Sequence, residues 1–246
     1  MPNFDTFNVK IYLKGNFMKK VYILSGAGLS AESGIRTFRD SDGLWEEYKI
    51  EEVCSTQGWA DDRQKVSDFY DARRADLESK EPNYAHQALA KLKEQYMDNI
   101  VMLTQNVDNM LEKAGCKEVL HLHGTLTDLR CESCGEVFDV GYSPQEGKTC
   151  PVCESDDVRH NVVMFGESAP MYVHINKLYS EADMAVVIGT AGAVINTAYI
   201  AQGVDNSVLL NLDEDPEIDQ YFKVCVYDKA TQGIDQVVEM IEDFLE

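Results

Sequence analysis

Three features of the 246-residue chain predict an α/β fold. First, apolar, β-branched-rich runs recur at Val21–Leu24, Ile100–Leu103, Ala185–Ile188, Val208–Leu212 and Val224–Tyr227. Each has the length of one strand buried on both faces. Second, helical patterns lie between them. Residues 83–96 put Ala85, Ala88, Leu89 and Leu92 on one face, and residues 234–245 do the same with Ile234, Val237, Val238, Ile241 and Leu245. Strands alternating with helices imply a mainly parallel, Rossmann-like sheet covered on both sides. Third, two segments break the alternation: residues 46–97 look helical and charged with no clear strand, and residues 126–159 carry four cysteines among Gly, Ser and Pro. The expected organisation is a Rossmann-like domain over 18–45, 98–125 and 160–246, a helical module over 46–97, and a zinc-ribbon insert over 126–159 too polar for a core of its own. Residues 1–17 are expected to be an N-terminal extension, because Met18-Lys19-Lys20-Val21 resembles a natural start.

Composition narrows the partners. The formal net charge of −21 leaves no basic surface for phosphate neutralisation, so nucleic acid is not an expected partner. An acidic surface attracts lysine-rich protein segments; the plainer reading is that it keeps a cytoplasmic protein soluble. No run approaches the roughly 18 apolar residues of a membrane span, and none is expected. Seven cysteines, an odd number, argue against a disulfide framework. Cys54, Cys116 and Cys225 read as small buried residues rather than nucleophiles.

Along the chain, Val21–Leu24 runs into Gly26-Ala27-Gly28-Leu29-Ser30-Ala31, which fits the G-x-G-x-x-G/A fingerprint of a pyrophosphate-binding turn. A long helix should follow, yet Ser33-Gly34 and Arg36-Thr37-Phe38-Arg39 interrupt it, as a loop folded over a ligand would. Thr104-Gln105-Asn106-Val107-Asp108 clusters polar groups after a strand; it reads either as a ligand site or as a helix cap. His121 and His123 face the same side if strand-like, and Gly124 is expected to admit a ligand closely. Cys131-x-x-Cys134 and Cys150-x-x-Cys153, separated by 15 residues, form two metal knuckles. Four sulfurs fill a tetrahedral site, so a zinc there is structural; a redox pair is the weaker alternative.

Taken together, these segments resemble the sirtuins, the NAD-dependent protein deacylases, over nearly the whole chain from Val21 onward. The resemblance extends to Arg159-His160-Asn161-Val162-Val163-Met164-Phe165-Gly166-Glu167, to Gly189-Thr190-Ala191 and to Asn211-Leu212-Asp213. It implies that NAD is held by Gly26, Ala27, Gly28, Ser30, Ser33, Gly34, Phe38, Arg39, Trp45, Gln105, Asn106, Val107, Asp108, Gly189, Thr190, Ala191, Asn211, Leu212, Asp213 and Ala230. It makes His123 the general base, with Asn106 and Asp108 at the nicotinamide end and His121 a structural neighbour. It places an acylated lysine peptide along Val162, Val163, Phe165 and Gly166 by strand addition. Ala191, Asn196 and His160 depart from the family's usual serine, proline and proline.

Tyr70 and Arg73 are three residues apart, and on a helix they share a face. Together they resemble the Tyr-x-x-Arg signature of sirtuins that remove succinyl, malonyl and glutaryl groups. A hydroxyl and a guanidinium fork would then clamp one carboxylate. Gly43-Leu44-Trp45-Glu46-Glu47 also looks like that branch, and Cys54 stands where it tends to carry a small residue. The plainer reading is a charged surface helix with a core tyrosine. The function expected is therefore desuccinylation and demalonylation with weaker deacetylation, giving nicotinamide and O-acyl-ADP-ribose. The alternatives are an ADP-ribosyltransferase or NAD hydrolase, which acyl-dependent nicotinamide release distinguishes, a plain deacetylase, and a non-enzymatic NAD-sensing module, for which a base at residue 123 would have no use.

Overall fold

The computed structural model describes residues 18–36, 44–45 and 48–246. In chain order, β1 (Val21–Ser25) turns at Gly26 into α1 (Ala27–Ser30) and a single 3-10 turn. A short ladder, β2 (Leu44–Trp45) with β3 (Tyr48–Lys49), precedes α2 (Ile50–Val53), α3 (Thr56–Asp61), α4 (Arg63–Glu78) and α5 (Tyr84–Gln95). Then come β4 (Ile100–Thr104), α6 (Met110–Lys113), β5 (Val119–His121), β6 (Gly124–Cys131), β7 (Val137–Asp139) and β8 (Val158–Val162). A 3-10 turn (Pro170–Tyr172) leads into α7 (Val173–Glu181), followed by β9 (Met184–Ile188), α8 (Thr197–Gln202), β10 (Asn206–Asn211), α9 (Pro216–Asp219), β11 (Val224–Tyr227) and α10 (Ala230–Leu245).

The main sheet has the order β11-β10-β9-β1-β4-β5, all parallel. Side chains alternate between its two covered faces, which is why β1 is buried throughout. Val21 and Ile23 pack under α5 and α10, with Leu89, Leu92, Ile234 and Val237. Tyr22 and Leu24 pack on the opposite face with Ile175 and Leu178 of α7 and Ile200 of α8. Fully burying each such aliphatic side chain contributes about 1.5–3 kcal/mol.

The register sets the site. Ser25, Thr104, Ile188 and Leu210 stand level at the carboxyl ends of β1, β4, β9 and β10, and His121 ends β5 beside Thr104. From β1 the chain crosses towards β4, and from β9 towards β10, so the order reverses between β1 and β9. Ligands of open α/β sheets bind at such a reversal.

Three expectations are corrected. The strand expected to reach Leu212 ends at Asn211, and Leu212 is exposed. The segment 46–97 does contain a strand, Tyr48–Lys49, because Leu44–Trp45 supplies it with an antiparallel partner. The cysteine-bearing segment has a small core after all. Leu129, Cys131, Cys150 and Val158 are buried together beneath a three-stranded sheet of order β7-β6-β8, with Phe138 packed against them. Alternation along β6 turns Leu129 and Cys131 inward, so a segment polar in composition still has an apolar face.

Candidate active site

The Gly26–Gly28 turn is clamped between β1 and β9. Gly26 N–H donates to the Ile188 carbonyl at 2.9 Å and Gly28 N–H to the Gly189 carbonyl at 2.8 Å. A Cβ on Gly28 would lie 2.7 Å from the Gly189 Cα, a backbone atom that cannot swing aside. Gly189 itself has φ of 65°, in the left-handed region that favours glycine. Gly28→Ala is therefore expected to cost about 1–3 kcal/mol of stability and to weaken NAD binding, as thermal melts and calorimetric titration with NAD would show. Asn211 locks the next loop: its Oδ1 accepts from Thr190 N–H and its Nδ2 donates to the Thr190 carbonyl, both at 3.0 Å. Gln105 Nε2 donates to Thr190 Oγ1 at 3.3 Å, tying the β4 end to the β9 end.

Ser30 is the hub beneath the turn. Asn106 Nδ2 donates to its Oγ at 3.1 Å and to the Gly26 carbonyl at 3.0 Å. His86 Nδ1 accepts from Asn83 N–H, so His86 Nε2–H faces Ser30 Oγ at 3.3 Å. Burial pushes His86 down to about 4, which keeps it neutral. Asn83 caps α5 and also donates from Nδ2 to the Leu29 carbonyl at 2.8 Å, while its N–H reaches Ser33 Oγ at 3.1 Å. Asp108 is buried; burial raises its carboxyl above the ordinary range, against bonds from Met110 N–H and Ser30. Asp108 thus satisfies a free N–H at the start of α6, as the capping alternative expects, and also sits beside Ser30. Neither Asn83 nor His86 was legible in the sequence, where the pair reads as an ordinary helix start.

The two nearby histidines differ in protonation. His121 Nδ1 faces the Asn106 carbonyl at 3.0 Å and Nε2 faces the Glu112 carboxylate at 2.8 Å. Acceptors at both nitrogens favour the protonated ring. Burial works against that charge, but Glu112 outweighs it and the pKa is raised. Both of its nitrogens are thus engaged by acceptors, which makes it a poor proton acceptor. His123 Nδ1 faces the Gln105 carbonyl at 2.9 Å, so Nδ1 carries the hydrogen and Nε2 the lone pair. Burial lowers its pKa, with the Gln105 carbonyl opposing. Its Nε2 lies 2.8 Å from the Tyr172 hydroxyl, a contact that nothing in the sequence pattern announces. Gly124 accommodates a protein neighbour: a Cβ there would fall 1.9 Å from the Asn161 carbonyl oxygen, so its bare Cα lets β8 approach.

On α4, Tyr70 and Arg73 are both buried, at 2% and 9% exposure, on the face turned away from exposed Asp68, Ala72 and Asp76. The Tyr70 ring stacks on His160 at 3.8 Å, and its hydroxyl shares a hydrogen bond with the Cys54 thiol. Burial pushes Cys54 up to about 11, so its thiol is inert, and Cys116 is likewise raised to about 11. The Arg73 guanidinium lies 5.3 Å over the Phe69 ring. Val162 is buried and Val163 N–H donates to the His123 carbonyl at 2.9 Å. Phe165 and Gly166 are exposed, but the Phe165 main chain is already bridged to Cys54 and Thr56. His160 is fully buried and neutral, and Arg159 beside it pairs with Glu132 and Glu167.

The remaining expected residues scatter around the crevice. Ala27 opens α1, Gly34 closes the 3-10 turn, and Val107 accepts from Leu126 N–H at 2.8 Å. Ala191 follows Thr190 half-buried, Leu212 and Asp213 are exposed beyond β10, and Ala230 opens α10 packed into the core. Trp45 belongs to β2. Phe38 and Arg39 lie outside the described residues. The tight glycine turn and the amide and hydroxyl groups of Gln105, Asn106, Thr190 and Asn211 fit a dinucleotide laid across the strand ends.

Cys131, Cys134, Cys150 and Cys153 bring all four sulfurs within 4.8 Å of one another. Cys131–Cys153 and Cys134–Cys150 are both 3.6 Å between sulfurs. Zinc–sulfur bonds of about 2.3 Å at tetrahedral angles require about 3.8 Å between sulfurs. The set fits one structural zinc and leaves no position for substrate.

Comparison with known proteins follows the same lines. The profile of the Sir2 family matches residues 26–196. An NAD-dependent protein deacylase of Campylobacter jejuni is 47% identical over 93% of this chain and 98% of its own length. One of Escherichia coli K12 is 39% identical over 96% of this chain and 86% of its own. A Sir2 homologue in complex with ADP-ribose superposes with a TM-score of 0.79 at 35% identity, covering 92% of this chain and 93% of that one. A Sir2 homologue–NAD complex gives 0.77 at 36%, covering 93% and 91%. With the glycine turn, the polar strand ends and the four-cysteine ribbon in one chain, the protein belongs to the Sir2 family.

Proposed function

We propose that the protein is an NAD-dependent lysine deacylase that removes succinyl and malonyl groups in preference to acetyl, yielding nicotinamide and O-acyl-ADP-ribose. The observation that carries the acyl preference is the buried Tyr70–Arg73 pair beside Cys54. A guanidinium nine-tenths buried offers a carboxylate a charge-assisted bond in a low-dielectric setting. The Tyr70 hydroxyl joins it by exchanging a thiol, a weak hydrogen-bond partner, for a carboxylate.

Bound NAD supplies the electrophilic ribose carbon that the acyl oxygen attacks as nicotinamide leaves. Asn106 and Asp108, fixed through Ser30, line the nicotinamide end. His123 receives a ribose hydroxyl proton at Nε2; its Nδ1–H stays on the Gln105 carbonyl and keeps the ring in the required tautomer. The exposed Phe165 and Gly166 receive the peptide, and the chain's acidity favours lysine-rich segments. A solved Sir2 relative, 25% identical, is bound to an acetylated peptide. A reducing, cytoplasmic setting belongs to this reading, in keeping with seven unlinked cysteines; no helix among the described residues is long and apolar enough to cross a membrane.

Arg73→Met tests the clamp. Desuccinylation is expected to fall by about 30-fold or more in kcat/KM, roughly 2 kcal/mol of transition-state stabilisation, while deacetylation persists. Equal loss of both would remove Arg73 from acyl recognition.

A further inference from the structure

Tyr172 occupies a position that the reaction scheme leaves unused. It ends the 3-10 turn Pro170–Tyr172 and leads into α7, whose Ile175 and Leu178 are buried in the core. Tyr172 is itself partly buried against the same cluster, so its phenol is held from behind. The phenol oxygen lies 2.8 Å from His123 Nε2. Because the Gln105 carbonyl takes the Nδ1 hydrogen, Nε2 is the acceptor and Tyr172 O–H the donor. The one lone pair on the ring able to take a proton is therefore already engaged.

We propose that Tyr172 latches the general base: its phenol holds Nε2 of His123, and a ribose hydroxyl gains that atom only by displacing the phenol. The inference rests on His123 being the base. A hydrogen bond into the lone pair stabilises the neutral imidazole over the imidazolium, so the latch also lowers the ring's basicity. The groups facing the ring are the Tyr172 phenol from the α7 entry and the Gln105 carbonyl from the end of β4; burial and that carbonyl set the remainder of its proton affinity. Burial raises the Tyr172 pKa, which keeps the phenol protonated as a donor.

Tyr172→Phe removes one oxygen from a partly exposed side chain and leaves the packing intact. The His123 ring is followed by NMR titration without NAD, its signal assigned among five histidines by its loss in His123→Ala. In Tyr172→Phe the midpoint is expected to rise by about 0.5–1 pH unit, and kcat/KM for NAD to rise about 3–10-fold. An unmoved midpoint would overturn the latch and leave His123 as base untouched. A fall of tenfold or more in kcat/KM would overturn it in favour of a proton relay through the phenol. Normal turnover in His123→Ala would reject the base, and the latch with it.

Discussion

His123→Ala is expected to fold, retain zinc and bind NAD, yet lose about 10²–10⁴-fold in kcat. The ring is the one histidine at the strand ends with an Nε2 lone pair; His121, two residues earlier, has both nitrogens committed to acceptors. Its depressed pKa fixes the direction of the pH profile. The base works as neutral imidazole, and a lowered pKa keeps it neutral to more acidic pH. The acid limb of kcat/KM should therefore lie below about 6.5, the ordinary imidazole value. Stopped-time nicotinamide release across pH measures both effects, and turnover within tenfold of the parent protein would exclude His123 from proton transfer.

Removing zinc is expected to unfold the β6–β7–β8 unit and abolish activity with it. Four buried residues cannot sustain that sheet alone: Leu129, Cys131, Cys150 and Val158 bury too little surface to offset the entropy of ordering the loops between them. Structural zinc supplies on the order of 10–16 kcal/mol in small metal-folded units. The loss would travel. β6 begins at Gly124, immediately after His123, and the Val163 N–H that follows β8 donates to the His123 carbonyl. Melting these strands removes the backbone that aims the imidazole. Chelation followed by far-ultraviolet circular dichroism and activity reads both consequences, and a zinc-free protein with full activity would refute the coupling.

The sheet was legible because each strand is buried on both faces and so reads as an uninterrupted β-branched run; Val21, Tyr22, Ile23 and Leu24 each meet a helix or a neighbouring strand. The crevice was legible for a related reason, since Gly26, Gln105 and Gly189 follow strands whose register brings their ends level. What escaped was whatever depends on distant segments meeting. Tyr172 is 49 residues from His123, and His86 is 56 from Ser30. No local period encodes either contact. The role of Gly124 escaped for the same cause, because the Asn161 carbonyl it accommodates comes from a strand reached only after the cysteine-bearing segment. The burial of Arg73 was open in the sequence because an arginine within a charged helix carries no sign of which face the ribbon strands cover.

The most direct test is nicotinamide release from NAD with matched succinyl-lysine and acetyl-lysine peptides, compared as kcat/KM. The account predicts release that depends on the acylated peptide and favours succinyl over acetyl by about tenfold or more, the margin a charge-assisted carboxylate bond provides. An acetyl preference, or release indifferent to either peptide, would contradict it.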